Sequence, residues 1–276
     1  MSLERTPFAE ENPWRALQAL LRSLARREIL PRFHHVKARL KGDGSLVTEA
    51  DGAMQRAVEE ALRERWPQYA LLGEESSCQL QDRALAQAGG CWILDPLDGT
   101  TNFAHGFEIF CTSLALAVGG EVVLGLVYDP LHDELFAARR GRGAELGGLS
   151  LRLESAPAAL DRALALIDFK RLPADVAAAL AVNPPYASQR NLGSVALEWC
   201  WLAAARADLY LHGGQKLWDY AAGQLIFSEA GGASCTLEGE AVPRLVMTPR
   251  SAVAAADSSL LEPWFQWLRG RLGEPT

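Results

Sequence analysis

Between Ile109 and Gly148 the chain alternates apolar runs with turns spaced so closely that no helix fits between them. Ile109–Val118 is apolar, Gly119-Gly-Glu121 is a hairpin turn, and Val122–Tyr128 is apolar again. Asp129-Pro-Leu-His-Asp133 turns once more into Glu134–Ala138, and the Gly-rich residues 141–148 make another turn. Such spacing implies antiparallel strands joined to their nearest neighbours.

The flanks read differently. Trp14, Leu17, Leu20, Leu21, Leu24 and Ile29 form an apolar stripe at helical spacing over residues 13–33. Lys41-Gly-Asp-Gly-Ser45 breaks the pattern as a loop, and Thr48 and Asp51 open a second helix to about Trp66, with Pro67 beyond it. A short strand, Tyr69–Leu72, leads into Gly73-Glu-Glu-Ser76. After a boundary near residues 150–160 the chain alternates strand and helix. Strands are expected at Ala163–Ile167, Asp208–His212, Ala233–Leu237 and Ala252–Ala256. Helices are expected at Ala174–Val182, Ser194–Ala205, Leu217–Ala230 (closed by Gly231-Gly232) and around Trp264 and Trp267. A meander followed by alternating elements argues for an α/β chain of mixed sheets and helices in layers. With 276 residues, no internal repeat and no long linker, we expect a single domain of two halves, about 1–150 and 151–276.

Ahead of the meander, Trp92-Ile-Leu-Asp-Pro-Leu-Asp-Gly-Thr-Thr-Asn-Phe103 carries the chemistry. An apolar strand ending at Asp95 is followed by a turn stiffened by Pro96, then by Asp98, Gly99, Thr100 and Thr101. Carboxylates at a strand end supply hard oxygen ligands for Mg2+. The Gly-Thr-Thr turn offers N–H groups and hydroxyls for a phosphate that such an ion would hold. An Asp-rich turn capping a helix at Thr100 or Thr101 would account for the two aspartates alone, though not for the whole string.

Asp95-Pro-Leu-Asp-Gly-Thr-Thr-Asn-Phe103 resembles the signature of the inositol monophosphatase family of metal-dependent phosphatases. Leu46-Val-Thr-Glu-Ala-Asp51, Gly73-Glu-Glu-Ser76, and Trp218-Asp-Tyr-Ala-Ala-Gly223 followed by Glu229-Ala-Gly-Gly232 agree in order and spacing, so the resemblance spans roughly Pro13 to Trp267. It implies stacked α-β-α-β-α layers and a Mg2+-dependent, lithium-sensitive phosphomonoesterase acting on a small sugar or inositol phosphate. By the same resemblance Glu74, Asp95 and the Leu97 carbonyl bind one Mg2+, and Asp95, Asp98 and Asp219 bind a second. A third, weaker ion sits near Glu74. Thr100, paired with Asp51, orients the attacking water beside Glu74. Gly99, Thr100, Thr101, Gly193, Ser194, Ala196, His212 and Asp219 face the substrate. Taken alone, Glu74 beside Glu75 is an ordinary surface charge, Asp219 an ordinary helix cap, and Asp51 an ordinary first-turn residue after Thr48.

Two places depart from the family pattern. Seven residues before Asp219, where the inositol-type enzymes carry an acid that accepts bonds from ring hydroxyls, stands His212. Histidine cannot reproduce that bidentate acceptor, and an isolated histidine at a strand end is ordinarily a surface group. Asp168-Phe-Lys-Arg171 follows a strand where the family places a substrate loop, so Lys170 or Arg171 could meet a second anionic group. Relatives that cleave 3′-phosphoadenosine nucleotides or histidinol phosphate carry lysine after Asp-Gly-Thr. Thr101 stands there instead, which favours the sugar-phosphate branch, with fructose 1,6-bisphosphate as an alternative substrate. Some bacterial relatives act as factors associated with RNA polymerase or the ribosome, a different class of function.

Composition bounds the remainder. A net charge of −7 disfavours direct nucleic-acid binding, and it would repel an anionic substrate unless bound cations reversed the sign locally. No stretch of 18 apolar residues and no secretory leader is present, so a cytoplasmic protein is expected. Cys78, Cys91, Cys111, Cys200 and Cys235 are scattered without a CxxC pair and read as reduced thiols, mostly buried. A homodimer is implied by the resemblance, with the apolar strands of the 109–138 meander as the expected contact unless they are core.

Overall fold

The computed structural model describes residues 3–272 apart from 36–37, 41, 43, 45, 88 and 155–158. Lys41, Asp43 and Ser45 of the expected loop, and residues 155–158 of the expected boundary, therefore lie outside the described residues.

The first half begins with two long helices, α1 (Glu11–Glu28) and α2 (Glu49–Arg65), separated by the short strands β1 (Arg39–Leu40) and β2 (Leu46–Val47). Helix α1 stops earlier than its apolar stripe suggested, because Pro31 has no N–H to continue the ladder and the chain tightens into a 3-10 turn at Leu30–Arg32. Strands β3 (Ala70–Gly73), β4 (Cys91–Asp98), β5 (Cys111–Val118), β6 (Glu121–Asp129) and β7 (Glu134–Arg139) follow. Strands β8 (Ala144–Leu146) and β9 (Leu149–Leu151) complete a seven-stranded sheet in that same order. Strands β3 and β4 are parallel and all later neighbours antiparallel, as the turn spacing required. Gly119 and Gly120 both adopt positive φ, the conformation a two-residue hairpin demands between β5 and β6. Strands β8 and β9 occupy part of the expected Gly-rich turn, pinched at Gly147–Gly148. Helices α3 (Cys78–Leu85) and α4 (Thr100–His105) bracket β4.

The second half supplies β10 (Leu164–Asp168), α5 (Ala174–Val182), β11 (Ser188–Arg190), α6 (Val195–Ala203) and β12 (Leu209–Gln215). It ends with α7 (Leu217–Glu229), β13 (Ala233–Cys235), β14 (Arg250–Ala255) and α8 (Ser258–Arg269). Its five strands pair in the order β11-β10-β12-β14-β13, with β10 parallel to both of its neighbours.

Burial explains the stacking. Trp92, Leu94, Leu114, Leu116 and Leu126 point from one face of the large sheet onto Trp14, Leu17, Leu21, Met54 and Val58 of α1 and α2. The alternate residues Ile93, Ala115, Val127 and Phe136 point the other way, onto α6 and α7. Those two helices also receive Leu166, Tyr210, Ala252 and Ala254 of the second sheet, so ten of the 13 residues of α7 are buried. The far face of the second sheet covers Val176 and Leu180 of α5 and Leu260, Trp264 and Leu268 of α8. The result is the α-β-α-β-α stack that the resemblance implied. A helix sandwiched between two sheets cannot carry a polar face, which is why α6 and α7 read as nearly unbroken apolar runs. They also touch closely: a Cβ on Gly223 would lie 2.7 Å from Cβ of Trp199.

This stacking corrects the expected dimer contact. Strands β5 and β6 are buried on both faces within the chain, so the meander is core and offers no face to a second copy. Among the described residues, no helix is long and apolar enough to cross a membrane. All five cysteines are free thiols, with Cys91, Cys111 and Cys200 buried, Cys235 half-buried and Cys78 exposed.

Candidate active site

Strand β4 does not end at Asp95 as expected. It continues to Asp98 through a bulge. Asp95 pairs with Ser113 and Asp98 with Cys111, so three steps along β4 match two along β5. In a regular strand, residues three apart project to opposite faces; one inserted residue brings them back to the same side. Asp95 and Asp98 accordingly line one cavity of about 370 Å³. Pro96 sits inside the bulge, where its missing N–H breaks no ladder bond. The Thr112 hydroxyl donates to the Pro96 carbonyl at 2.9 Å, and the Leu97 N–H donates to Asp95 Oδ1 at 3.0 Å. At Gly99 the chain reverses into α4 with φ of +90°, and a Cβ there would stand 2.8 Å from the Ile109 carbonyl oxygen. Only glycine fits.

Glu74 reaches the same cavity because β3 runs parallel to β4 and ends beside it. Its N–H donates to the Leu94 carbonyl at 3.0 Å. Helix α3, absent from the expected elements, holds this turn: Gln81 Nε2 donates to the carbonyls of Gly73 and Glu74. Glu75 does not line the cavity, and its N–H donates to Gln55. Asp219 arrives from the first turn of α7, where it accepts the Lys216 N–H at 2.8 Å and leaves Oδ1 outside that bond. It is both a cap and a cavity residue.

The electrostatics follow from crowding acids in a buried place. Burial, then the charges of Glu74, Asp98 and Asp219, pushes the Asp95 carboxyl well above the usual range. Burial followed by the charges of Asp98 and Glu74 pushes Asp219 up to about 8. Burial also lifts Asp98 to about 6, against hydrogen bonds from Ser194 Oγ and the Ala196 N–H, each at 2.7 Å from Oδ2. Among the described residues, no group of three or more His, Cys, Asp or Glu side chains is arranged as a metal cage.

Behind this wall, Asp51 on α2 is fully buried. Its Oδ2 accepts both the N–H and the hydroxyl of Thr48, at 2.8 and 2.6 Å, closing a capping box. Its Oδ1 stands 3.0 Å from Thr100 Oγ1, which is also 2.9 Å from the Leu97 carbonyl. One hydroxyl proton serves one acceptor at a time, so Thr100 donates to Asp51 whenever the Leu97 carbonyl is engaged elsewhere. Burial raises the Asp51 carboxyl, opposed by the bonds from Thr48 and Thr100.

At the other end, β10 and β12 lie parallel with Asp168 directly beside His212. His212 is not the surface group its strand-end position suggested. It is 1% exposed and lines the cavity, because the sheet continues past it to Gln215 and α6 covers it from one side. His212 Nδ1 accepts the Gly214 N–H at 3.0 Å, which leaves the ring proton on Nε2, 3.1 Å from Asp168 Oδ2. Burial opposes the charge on Asp168. The neighbouring His212 ring, the hydrogen bond from the Lys170 N–H and the Arg171 guanidinium outweigh it and hold the carboxyl down to about 2.

Chain-wide similarity agrees with this geometry. The model of the inositol monophosphatase family matches residues 4–266. The chain belongs to the inositol monophosphatase family. Nus factor SuhB of Pasteurella multocida is 38% identical over 204 residues, which cover 72% of this chain and 75% of that protein. Inositol monophosphatase 1 of Solanum lycopersicum is 37% identical over 207 residues, 72% of this chain and 76% of that one. The solved IMPase of Thermotoga maritima superposes with a TM-score of 0.81, covering 95% of this chain and 100% of its own, at 26% identity.

Of the residues singled out from the inositol monophosphatase resemblance, Glu74, Asp95, Leu97, Asp98, Gly99, Thr100, Thr101, Gly193, Ser194, His212 and Asp219 line the one cavity. Asp51 and Ala196 do not; each stands behind the wall and holds a residue that does, Thr100 and Asp98 respectively. The reading missed Glu198, whose carboxyl accepts the Leu192 N–H at 2.8 Å and is pushed up by burial to about 8. A single acid within the apolar run Val195-Ala-Leu-Glu-Trp199 was the available signal. Asn102 was also missed; its amide donates to the Ile109 carbonyl and, tying α4 to the second half, to the Leu192 carbonyl.

Proposed function

We propose that this chain hydrolyses a small phosphate monoester with the help of Mg2+. The observation that carries the reading is the convergence of Glu74, Asp95, Asp98 and Asp219 on a cavity whose wall also holds Thr100, itself bonded to Asp51. The donor set fits the ion. Hard carboxylate oxygens suit Mg2+, and buried acids that raise one another's pKa are relieved by a divalent cation. Mg2+ keeps waters and shares substrate oxygens, so it does not require a complete cage of protein side chains. Glu74, Asp95 and the Leu97 carbonyl would hold one ion, and Asp95, Asp98 and Asp219 a second.

When bound, such ions neutralise phosphate charge and lower the pKa of water toward neutrality. The chain's own residues do the rest. Asp51 accepts the Thr100 proton and so turns the hydroxyl's lone pairs outward to receive a hydrogen bond from the attacking water. The first N–H groups of α4, at Thr100 and Thr101, have no partner within the helix and are suited to phosphate oxygens. Ser194 and the Ala196 N–H fix Asp98 in place. Phosphate release from a panel of sugar and inositol phosphates, with Mg2+ and with excess chelator, tests the reading. Turnover that requires Mg2+ supports it, and no release from any ester rejects it. LiCl should inhibit more than NaCl at equal ionic strength, because Li+ competes for carboxylate oxygens with half the charge.

Similarity to a Nus factor favours a second role beside catalysis, as a factor associated with RNA polymerase or the ribosome. Co-purification of that machinery with the tagged chain tests it. The working assembly is proposed as a homodimer whose contact lies outside the meander, and light scattering should then report twice the chain mass.

A further inference from the structure

The far end of the cavity has few acceptors and most are engaged. Asp168 Oδ1 accepts the Lys170 N–H at 2.9 Å and Oδ2 accepts Arg171 Nη1 at 3.0 Å, which takes about half of the roughly four lone-pair sites of that carboxylate. The Glu198 carboxyl, also in the cavity wall, accepts the Leu192 N–H at 2.8 Å. His212 Nδ1 accepts the Gly214 N–H, while its buried Nε2–H, 3.1 Å from Asp168 Oδ2 but outside hydrogen-bond geometry, is a further donor left without a hydrogen-bond partner. Asn191 Oδ1 accepts the Gly193 N–H, and its amide N–H groups add two more donors.

Donors, by contrast, are in surplus. Arg171 uses Nη1 on Asp168 and keeps Nε and Nη2, and Lys170 brings an ammonium to the same cavity. These two side chains are exposed, yet their backbone is pinned. A Cβ on Gly213 would fall 1.7 Å from the Arg171 carbonyl oxygen, so the 169–171 turn lies directly on the β12 backbone. Asp168 also caps that turn through the Lys170 N–H. The cations are therefore presented at the cavity by a fixed turn.

We infer that this end selects a phosphate ester whose alcohol carries a second anionic group, a carboxylate or another phosphate, bound by Arg171, Lys170 and the Asn191 amide. The inference deepens the phosphatase reading and rests on it. The hydroxyls of a neutral polyol can accept from these donors but bring no charge to Arg171 and Lys170. An anionic alcohol brings what the surface lacks.

The test compares two esters of one skeleton, 2-phosphoglycerate and glycerol 2-phosphate, which differ by a carboxylate in place of a hydroxymethyl group. With free Mg2+ held constant, the ratio of their kcat/KM values should favour 2-phosphoglycerate by about ten-fold, the size of one charge-assisted hydrogen bond. Lys170→Ala and Arg171→Ala should each lower that ratio, and added salt should lower it too. A second pair, fructose 1,6-bisphosphate against fructose 1-phosphate, tells whether phosphate serves better than carboxylate. Structural damage would slow both members of a pair alike and leave the ratio unmoved. Wild-type ratios of one or less for both pairs, or ratios that both variants retain, overturn the inference. If no ester is hydrolysed at all, the phosphatase reading fails. Calorimetric binding of the same pairs in Mg2+ then decides this inference by the same ratios.

Discussion

At the acidic end of the cavity, Asp95, Asp98 and Thr100 come from six consecutive residues on a buried strand, its bulge and the helix that follows. At the cationic end, Asp168 and His212 come from different strands and meet only because β10 and β12 lie parallel in register. Local covalent spacing supplies two acids and Thr100 of the acidic end, to which β3 adds Glu74 and α7 adds Asp219, whereas the Asp168–His212 pair exists only through tertiary pairing. The first is suited to chemistry that must not vary. The second contributes none of the four acids, so a change there leaves the acidic set itself intact.

Removing charge at the acidic end should have the largest effect. Asp95→Asn is expected to lower Mg2+-dependent phosphate release by about 10²–10³, the usual cost of one lost charge-stabilising contact. More than about a tenth of wild-type activity in a folded variant would remove Asp95 from the chemistry and blur the contrast.

The cationic end should instead reveal itself in stability. Because the carboxyl of Asp168 is held down to about 2, its ionised form contributes about 2 kcal/mol to folding. Its folded pKa is depressed, so this contribution is complete above the unfolded value near 4 and is lost as pH falls toward about 2. Urea unfolding of Asp168→Asn should show nearly that full penalty at pH 7 and a smaller one at pH 3. A penalty independent of pH would mean that Asp168 acts through packing. His212→Glu sharpens the point: it would set a second carboxylate beside Asp168 in a buried place, so it should destabilise the fold before it improves polyol recognition.

The smallest effect belongs to the support behind the acidic end. Thr48→Ala removes one half of the capping box on α2 and one donor to Asp51, at a cost of about 1 kcal/mol by chemical denaturation. A loss of activity far beyond that of stability would show that Thr48 tunes Asp51 and not merely the helix.

The difference between the two ends also explains what could be read before folding was known. The meander, the long helices and the 95–103 block were legible because turns, apolar period and a contiguous motif are local. Helix α3 was not, since it is only eight residues long and just two of them, Gln81 and Ala84, are buried. Strand β11, a short polar edge strand, carries no apolar alternation either. The bulge in β4 was mistaken for a strand end, because Pro96 announces a turn as readily as an irregular strand. His212 looked exposed because nothing in its neighbours announces that α6 and β10 will close over it.

The β4 bulge has a consequence for how such a site can be lost. Inserting one residue into β5 between Cys111 and Ser113 would let three steps there match the three along β4, regularising the ladder while swinging Asp98 to the face opposite Asp95. The sheet would be more regular and the cavity would lack one acid. Substitutions erode this site by degrees, whereas a frame-preserving insertion of a single codon would remove an acid without changing any side chain. The mismatch in length between the two strands is thus as much a part of the site as any residue in it.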